Sequence, residues 1–380
     1  MRLLSPLPLL CALLTAAVPA RAAEPLKVGA LLSVTGPASF LGGPEQRTLE
    51  MAVEALNATG GLAGRPVQLI VKDTGGSPEK AVSFARQLIE EEQVFAIIGP
   101  STSGETMAVK GLAEASGTLL LSCAAAEVIV NPVARWVFKT AQKDSHAATM
   151  IFQQLRKQGL TRVGVLTSNT GFGKAGKEQL EKLAPEHGVQ IVVSETYDKA
   201  ATDLTAEVTK VKAAGVQALV NWSIEPAQAI VIKNARQLGL AVPIFQSHGF
   251  GNIQYVKAAG AAAEGVVFPM GRLVVAEALP EKHPQKATLV AYKRAYEARY
   301  REDVSGFGGY AYDALLILSQ AVRTAGADRA AVRDAVERIS GLVGTSGVFT
   351  FSAADHNGLS LDSFELLTVK DGKFAVLGAR

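Results

Sequence analysis

Phe95-Ala-Ile-Ile-Gly-Pro-Ser-Thr-Ser-Gly-Glu-Thr-Met-Ala-Val109 is the stretch whose reading decides the fold. An apolar run, Phe95 to Ile98, breaks at Gly99-Pro100. Three hydroxyl residues follow, Ser101, Thr102 and Ser103, and then a helix-compatible segment begins. Strand, tight turn and helix start in that order form a site for an anion. The first N–H groups of a helix have no partner within it, and the helix dipole places partial positive charge there. Hydroxyls at the cap add donors without adding charge. The spacing gives neither G-x-x-x-x-G-K-[ST] nor G-x-G-x-x-G, so this is not a phosphate loop of either kind. The hydroxyls are open to two readings, a plain helix cap or a seat for a carboxylate.

Outward from this stretch the same alternation continues. Upstream, a strand over 26–33 ends in a Gly/Pro loop, Thr35 to Gly43, and Pro44 suits the first turn of a helix reaching Ala58. A strand over 66–72 and a helix over 78–91 come next. Downstream, a short strand over 118–121 precedes Ser122-Cys-Ala-Ala-Ala126. A second series starts near Asp144, with strands expected over 162–166, 189–194, 217–221 and 243–246 and helices between them. Short continuous apolar runs flanked by helices are how buried parallel strands read. Two such series predict an α/β fold of two doubly wound, Rossmann-like lobes. Helices over 285–300, 308–325 and 328–339 are expected to cover the first lobe. Strands over 349–351, 364–370 and 374–376 close the chain. Three crossings, near 140–144, 268–273 and 344–349, would serve as hinges. The expected division is 23–142 plus 270–346 for one lobe and 143–269 plus 347–380 for the other.

Residues 1–22 read as a signal peptide. A basic start leads into apolar Leu3 to Val18, and Ala20-Arg21-Ala22 supplies small residues for cleavage before Ala23. Leu10 precedes Cys11 where lipid-anchored signals prefer a small residue, so a free, exported, periplasmic monomer is expected. One cysteine, Cys123, then remains and no intrachain disulfide can form. It reads as buried and inert. The chain carries 38 basic and 35 acidic residues with no basic stripe, which argues against nucleic acid as a partner. No metal-spaced cluster, G-x-S-x-G elbow or carboxylate pair is evident, so neither catalytic residues nor a metal or other cofactor is expected.

Several stretches together resemble the leucine/isoleucine/valine-binding protein family: Lys27-Val-Gly-Ala-Leu-Leu-Ser-Val-Thr-Gly-Pro37, Asn57-Ala-Thr-Gly-Gly-Leu-Ala-Gly-Arg65, Ile98-Gly-Pro-Ser-Thr-Ser103 and Gly171-Phe-Gly-Lys-Ala-Gly176. The resemblance implies a type I periplasmic binding protein, the solute-binding part of an ABC importer, with permease and ATPase as membrane partners. It also implies a small carboxylate ligand clasped between the lobes. The family's carboxylate-binding serine matches Ser103, beside Ser101 and Thr102, and its backbone contacts match Ala124 and Ala125. Its second-lobe aromatic falls at Phe172, and the loop lining the ligand's side chain is Ser39-Phe40-Leu41. Trp222, and with a one-residue offset Ile224, come from the loop after strand 217–221. Two positions depart. The family's threonine is Ala126, and its acidic partner for the ligand's ammonium falls at His248. Both features that hold an amine are missing, which points to an aromatic or other organic acid, with a branched-chain amino acid as the alternative.

Other readings compete. Phe40, Phe172 and Trp222 could be plain core, and His356 reads as turn chemistry only. Cys123 and His248 could be imagined as nucleophile and base in an enzyme. A sensor built on the same lobes would be expected to carry an output segment, and none is seen.

Overall fold

The structure, a computed structural model, describes residues 24–378. The signal-peptide reading and Cys11 lie outside the described residues. The first series runs β1 (Leu26–Leu32), α1 (Ser39–Ala58), β2 (Val67–Asp73), α2 (Pro78–Arg86), β3 (Ala96–Ile98), α3 (Ser103–Ser116), β4 (Leu119–Ser122) and β5 (Val137–Lys139). The second runs α4 (Asp144–Lys157), β6 (Arg162–Ser168), α5 (Gly171–Leu183), β7 (Gln190–Tyr197), α6 (Thr205–Ala213), β8 (Ala218–Trp222), α7 (Ala227–Gln237), β9 (Ile244–Gln246), α8 (Ile253–Ala259) and β10 (Val267–Met270). Then come α9 (Lys286–Tyr300), α10 (Gly306–Ala325), α11 (Arg329–Glu337), β11 (Leu342–Val343), β12 (Val348–Phe349), β13 (Glu365–Lys370) and β14 (Lys373–Val376).

The first sheet is all parallel in the order β2-β1-β3-β4-β5. The second repeats this winding as β7-β6-β8-β9-β10, with β13 and β14 added antiparallel at its edge. Central strands such as β3, β4, β8 and β9 are buried on every residue. Their apolar runs lack alternation because helices cover both faces. The late helices pack on the first lobe. α10 lies along α1, and on α11 Arg329 donates to the carbonyls of Gln93 (3.0 Å) and Val94 (2.7 Å).

Three expectations need correction. α1 begins at Ser39, so Pro44 lies inside the helix rather than at its start. A proline there has no N–H for the carbonyl four residues back, which is that of Phe40. Asn252, capping α8 in the other lobe, replaces the missing donor, its Nδ2 reaching that carbonyl at 2.8 Å. The third crossing also comes later than 344–349. Phe351 packs edge-on against Phe138 and its N–H donates to the carbonyl of Ile339, so residues 349–357 stay with the first sheet. The chain joins the second sheet only at Glu365. His356, finally, is more than a turn residue. It is buried and stacked on Phe138 at 3.9 Å, with its ring nitrogens on the carbonyl of Val137 (2.9 Å) and on Glu337 (3.0 Å).

One side chain touches all three crossings. Gln142 Nε2 donates to the carbonyl of Ser346 at 2.8 Å and to that of Ser363, in the third crossing, at 3.4 Å, and its Oε1 accepts from the hydroxyl of Tyr310 at 3.0 Å. A Cβ on Gly271, in the second crossing, would come within 2.9 Å of the same Nε2.

The lobes are in contact across the cleft. A Cβ on Gly171, the first residue of α5, would lie 2.8 Å from both Cα and N of Gly104 in α3. Backbone atoms cannot yield at that distance as a flexible side chain could. Gly171→Val should therefore leave both lobes folded and hold them apart. Small-angle scattering should then give a larger radius of gyration for the variant than for the closed wild type. Equal values, with an unchanged thermal midpoint, would show that this approach does not limit closure.

Candidate ligand-binding site

In sheets wound this way, ligands bind beyond the carboxyl ends of the strands, where the order reverses. Here the two sets of strand ends face each other. The turn after β3 sets the first wall. Gly99 takes a φ of +94°, and a Cβ there would fall 2.2 Å from the carbonyl oxygen of Leu31, so only glycine fits. Beyond it Ser101, Ser103, Ala124, Ala125 and Leu41 line an inner cavity from the first lobe. Phe172 and His248 line it from the second. The cavity measures about 20 Å³, room for about one water molecule. Outside it lies a wider recess of about 190 Å³, with Thr102, Gly104, Gly171, Lys199 and Glu225 on its walls. Phe172 and Ile224 border both spaces and form the partition between them.

The three hydroxyls have different partners. Thr102 is the N-cap of α3: its Oγ1 accepts from the N–H of Glu105 at 3.3 Å and donates to that residue's carboxylate at 2.6 Å. It is the plain cap of the two readings, and reaches only the outer recess. Ser101 is held between the N–H of Ser33 (3.0 Å) and the carboxyl of Glu45. Ser103 is buried, and its Oγ accepts from the N–H of Ala126 at 3.2 Å, which leaves its proton for the cavity. The Ala124–Ala126 loop is fixed from behind by Lys139. This fully buried ammonium donates to the carbonyls of Ala125 (2.9 Å), Ala141 (2.7 Å) and Gln142 (3.1 Å).

On the second wall His248 is 2% exposed, and neither ring nitrogen has a hydrogen-bond partner. Rings of Phe172 (5.3 Å), Trp222 (5.6 Å) and Phe364 (5.5 Å) meet it edge-on. Burial first, and the charge of Lys139 second, push its pKa down to about 3, so the imidazole is neutral. Cys123 also lines the cavity, and burial, reinforced by Glu45, holds its thiol well above its ordinary value.

Besides Thr102, two expected site residues are not on the cavity wall. Trp222 is fully buried beneath α5, where a Cβ on Gly176 would run into its Nε1, and it serves as backing for Phe172 and His248. Phe40 packs edge-on against Tyr255 at 5.2 Å and contributes its carbonyl to the contact between lobes. Sequence reasoning missed Phe307 and Tyr310, which reach the cavity from α10, and Glu225, whose Oε2 accepts from Ser223 Oγ (2.7 Å) and the N–H of Ile224 (3.2 Å). Glu225 stood in the sequence three residues after Trp222 and could have been found there. Nothing local marked the residues of α10.

Known proteins bear on this geometry. A family model described as periplasmic binding protein matches residues 25–373. The leucine-, isoleucine-, valine-, threonine- and alanine-binding protein of Pseudomonas aeruginosa is 24% identical over 307 residues, 80% of either chain. An extracellular ligand-binding receptor from Rhodopseudomonas palustris HaA2 matches with a TM-score of 0.87 at 26% identity, over 93% of this chain and 99% of that one. The branched-chain amino acid transporter substrate-binding protein LivJ from Streptococcus pneumoniae, solved with isoleucine, matches with a TM-score of 0.82 at 25% identity, over 93% and 98%. Such relatives bind solutes and do not transform them, which removes the enzyme reading. No helix among the described residues is long and apolar enough to cross a membrane. This chain belongs to the periplasmic binding protein family, with the type I fold of the substrate-binding components of ABC importers.

Proposed function

We propose that this protein, exported and cleaved after Ala22, delivers to its permease a small carboxylate that lacks an α-ammonium. The class that fits best is an aromatic acid such as a benzoate, phenylacetate, hydroxycinnamate or aryl keto acid. The observation that carries this reading is His248, a neutral ring with two unpartnered nitrogens where an acidic side chain would be needed to hold an amine. An ammonium taken into a closed cleft must be paired, because an unpaired buried charge costs several kcal/mol. A neutral imidazole offers instead one donor and one acceptor, which suit a keto or hydroxyl oxygen. For the carboxylate, Ser103 supplies a hydroxyl proton, and the N-termini of α3 and α5 both point partial positive charge at the cleft. Phe172, backed by Trp222, supplies a flat apolar wall suited to a ring. Seating a ring in the inner cavity requires Phe172 or Ile224 to turn aside, or the lobes to part, because these side chains separate it from the recess.

A second reading, a branched-chain or other hydrophobic amino acid, is favoured by Glu225. An ammonium placed in the outer recess beside Ile224 would meet this carboxylate. The relative from Pseudomonas aeruginosa, named for binding leucine, isoleucine, valine, threonine and alanine, agrees with it.

Calorimetry separates the two. Phenylpyruvate should bind more tightly than phenylalanine, and benzoylformate more tightly than phenylglycine, each pair differing in the amine. Tighter binding of both amines would overturn the first reading in favour of the second. Within the first reading, Ser103→Ala removes a charge-assisted hydrogen bond of roughly 1.5–3 kcal/mol and should weaken binding of the acid about ten- to hundred-fold. Thr102→Ala should instead cost about 1 kcal/mol of stability, seen in thermal unfolding, with affinity nearly unchanged. The reverse pattern would move the anion seat from Ser103 to Thr102.

A further inference from the structure

Glu45 lies on α1 behind the wall that Ser101 forms. The side chain is wholly buried, Oε1 has no hydrogen-bond partner, and no Lys, Arg or His among the described residues is in ion-pair range of it. Its Oε2 meets the hydroxyl of Ser101, and that hydroxyl already accepts the N–H of Ser33 at 3.0 Å. The groups that face Glu45 add no cation. They are Glu105 from α3, Cys123 beyond β4 and Tyr310 from α10, with Asp313 one turn further along α10. Tyr292 of α9 is held by Thr48 at 2.6 Å, one turn along α1. Arg47, two residues on, turns away to Tyr296 and Glu302.

A serine hydroxyl has one proton and two lone pairs. At Ser101 one lone pair is taken by Ser33, so the contact with Glu45 decides what the cavity sees. We propose that Glu45 is a positioning residue that acts uncharged: its O–H donates to Ser101 Oγ and so turns the Ser101 proton into the cavity, toward the ligand's carboxylate. This rests on the reading of the ligand as a carboxylate. An ionised Glu45 would take the Ser101 proton for itself. The cavity would then face a lone pair backed by a negative charge, a wall suited to an ammonium. One carboxyl, out of the ligand's reach, thereby selects the charge of what is bound.

The geometry sets the direction of the pH dependence. Burial above all, opposed by the Ser101 hydrogen bond and reinforced by Glu105, raises the Glu45 carboxyl to about 8. Below that pH the proton is in place and affinity for a carboxylate is full. Above it, binding must take up a proton, and affinity should fall about tenfold per pH unit.

The test uses the mature chain, benzoylformate and calorimetry from about pH 7 to about pH 9.5. The wild type should lose affinity as stated and show net proton uptake in buffers of different ionisation enthalpy. Glu45→Gln, whose amide donates to Ser101 without titrating, should lose clearly less affinity over this range than the wild type. Burial pulls Lys139 down to about 7, so it titrates in the same window, but it is common to both proteins and the difference isolates Glu45. A flat wild-type profile overturns the proposal, and so does a variant that falls as the wild type does. If no acid binds near neutral pH, the functional reading fails and infrared spectra decide on Glu45. A protonated-carboxyl C=O band in the wild type, absent from Glu45→Gln and lost above about pH 8, supports the proposal. Absence of that band in the wild type overturns it.

Discussion

Two helices end against each other across one cleft, and much of the structure follows from that. The N-termini of α3 and α5 approach so closely that a Cβ on Gly171 would lie 2.8 Å from the backbone of Gly104, and that position does not tolerate one without a shift. Each end carries partial positive charge, so bringing them together is unfavourable unless negative charge lies between them. On the proposed reading, closure would be tied to occupancy, because a ligand can shift the lobes toward a closed form only through contacts it makes better there. On the same reading, a seat of backbone N–H groups and one hydroxyl would suit this, since it could hold an anion without burying a formal positive charge.

The hinge is organised around buried polar groups. Gln142 joins the first crossing to Ser346 and, through Tyr310, to a helix that reaches the cavity. Lys139 gathers three carbonyls, two from the crossing and one from the ligand loop. A buried ammonium is costly unless its hydrogen bonds are made, so these carbonyls are held in one arrangement and the Ala124–Ala126 loop is tied to the first crossing. On the far side of the cleft, Pro44 leaves a carbonyl of α1 without its helical partner and Asn252 supplies one. The first lobe is complete there only when the second is in contact with it.

The three adjacent hydroxyls show how tertiary contacts divide a local pattern. Thr102 is committed to the helix cap, Ser101 to Glu45 and Ser33, and Ser103 alone keeps its proton for the cavity without help from elsewhere. The same division separates the aromatics. Phe172 partitions the two spaces, and Trp222, equally close to a strand end, supports it from beneath.

The sequence by itself determined the alternation of strand and helix, the two doubly wound lobes and the glycine turn that leads into a helix start at Gly99–Ser103. Those are local properties: apolar runs of strand length, glycines where φ is positive, and hydroxyls at helix starts. The sequence also placed Ser103, Ala124, Ala125, Phe172 and His248 at strand ends, where sheet topology brings them together. What it could not determine were contacts made over long separations. Glu45 claims a serine 56 residues away, Tyr310 reaches a hinge residue 168 away, and His356 is buried by a strand 219 away. Only the tertiary structure decided these, because a polar group's partner is set by which elements pack together, and neither the helical nor the strand period encodes that.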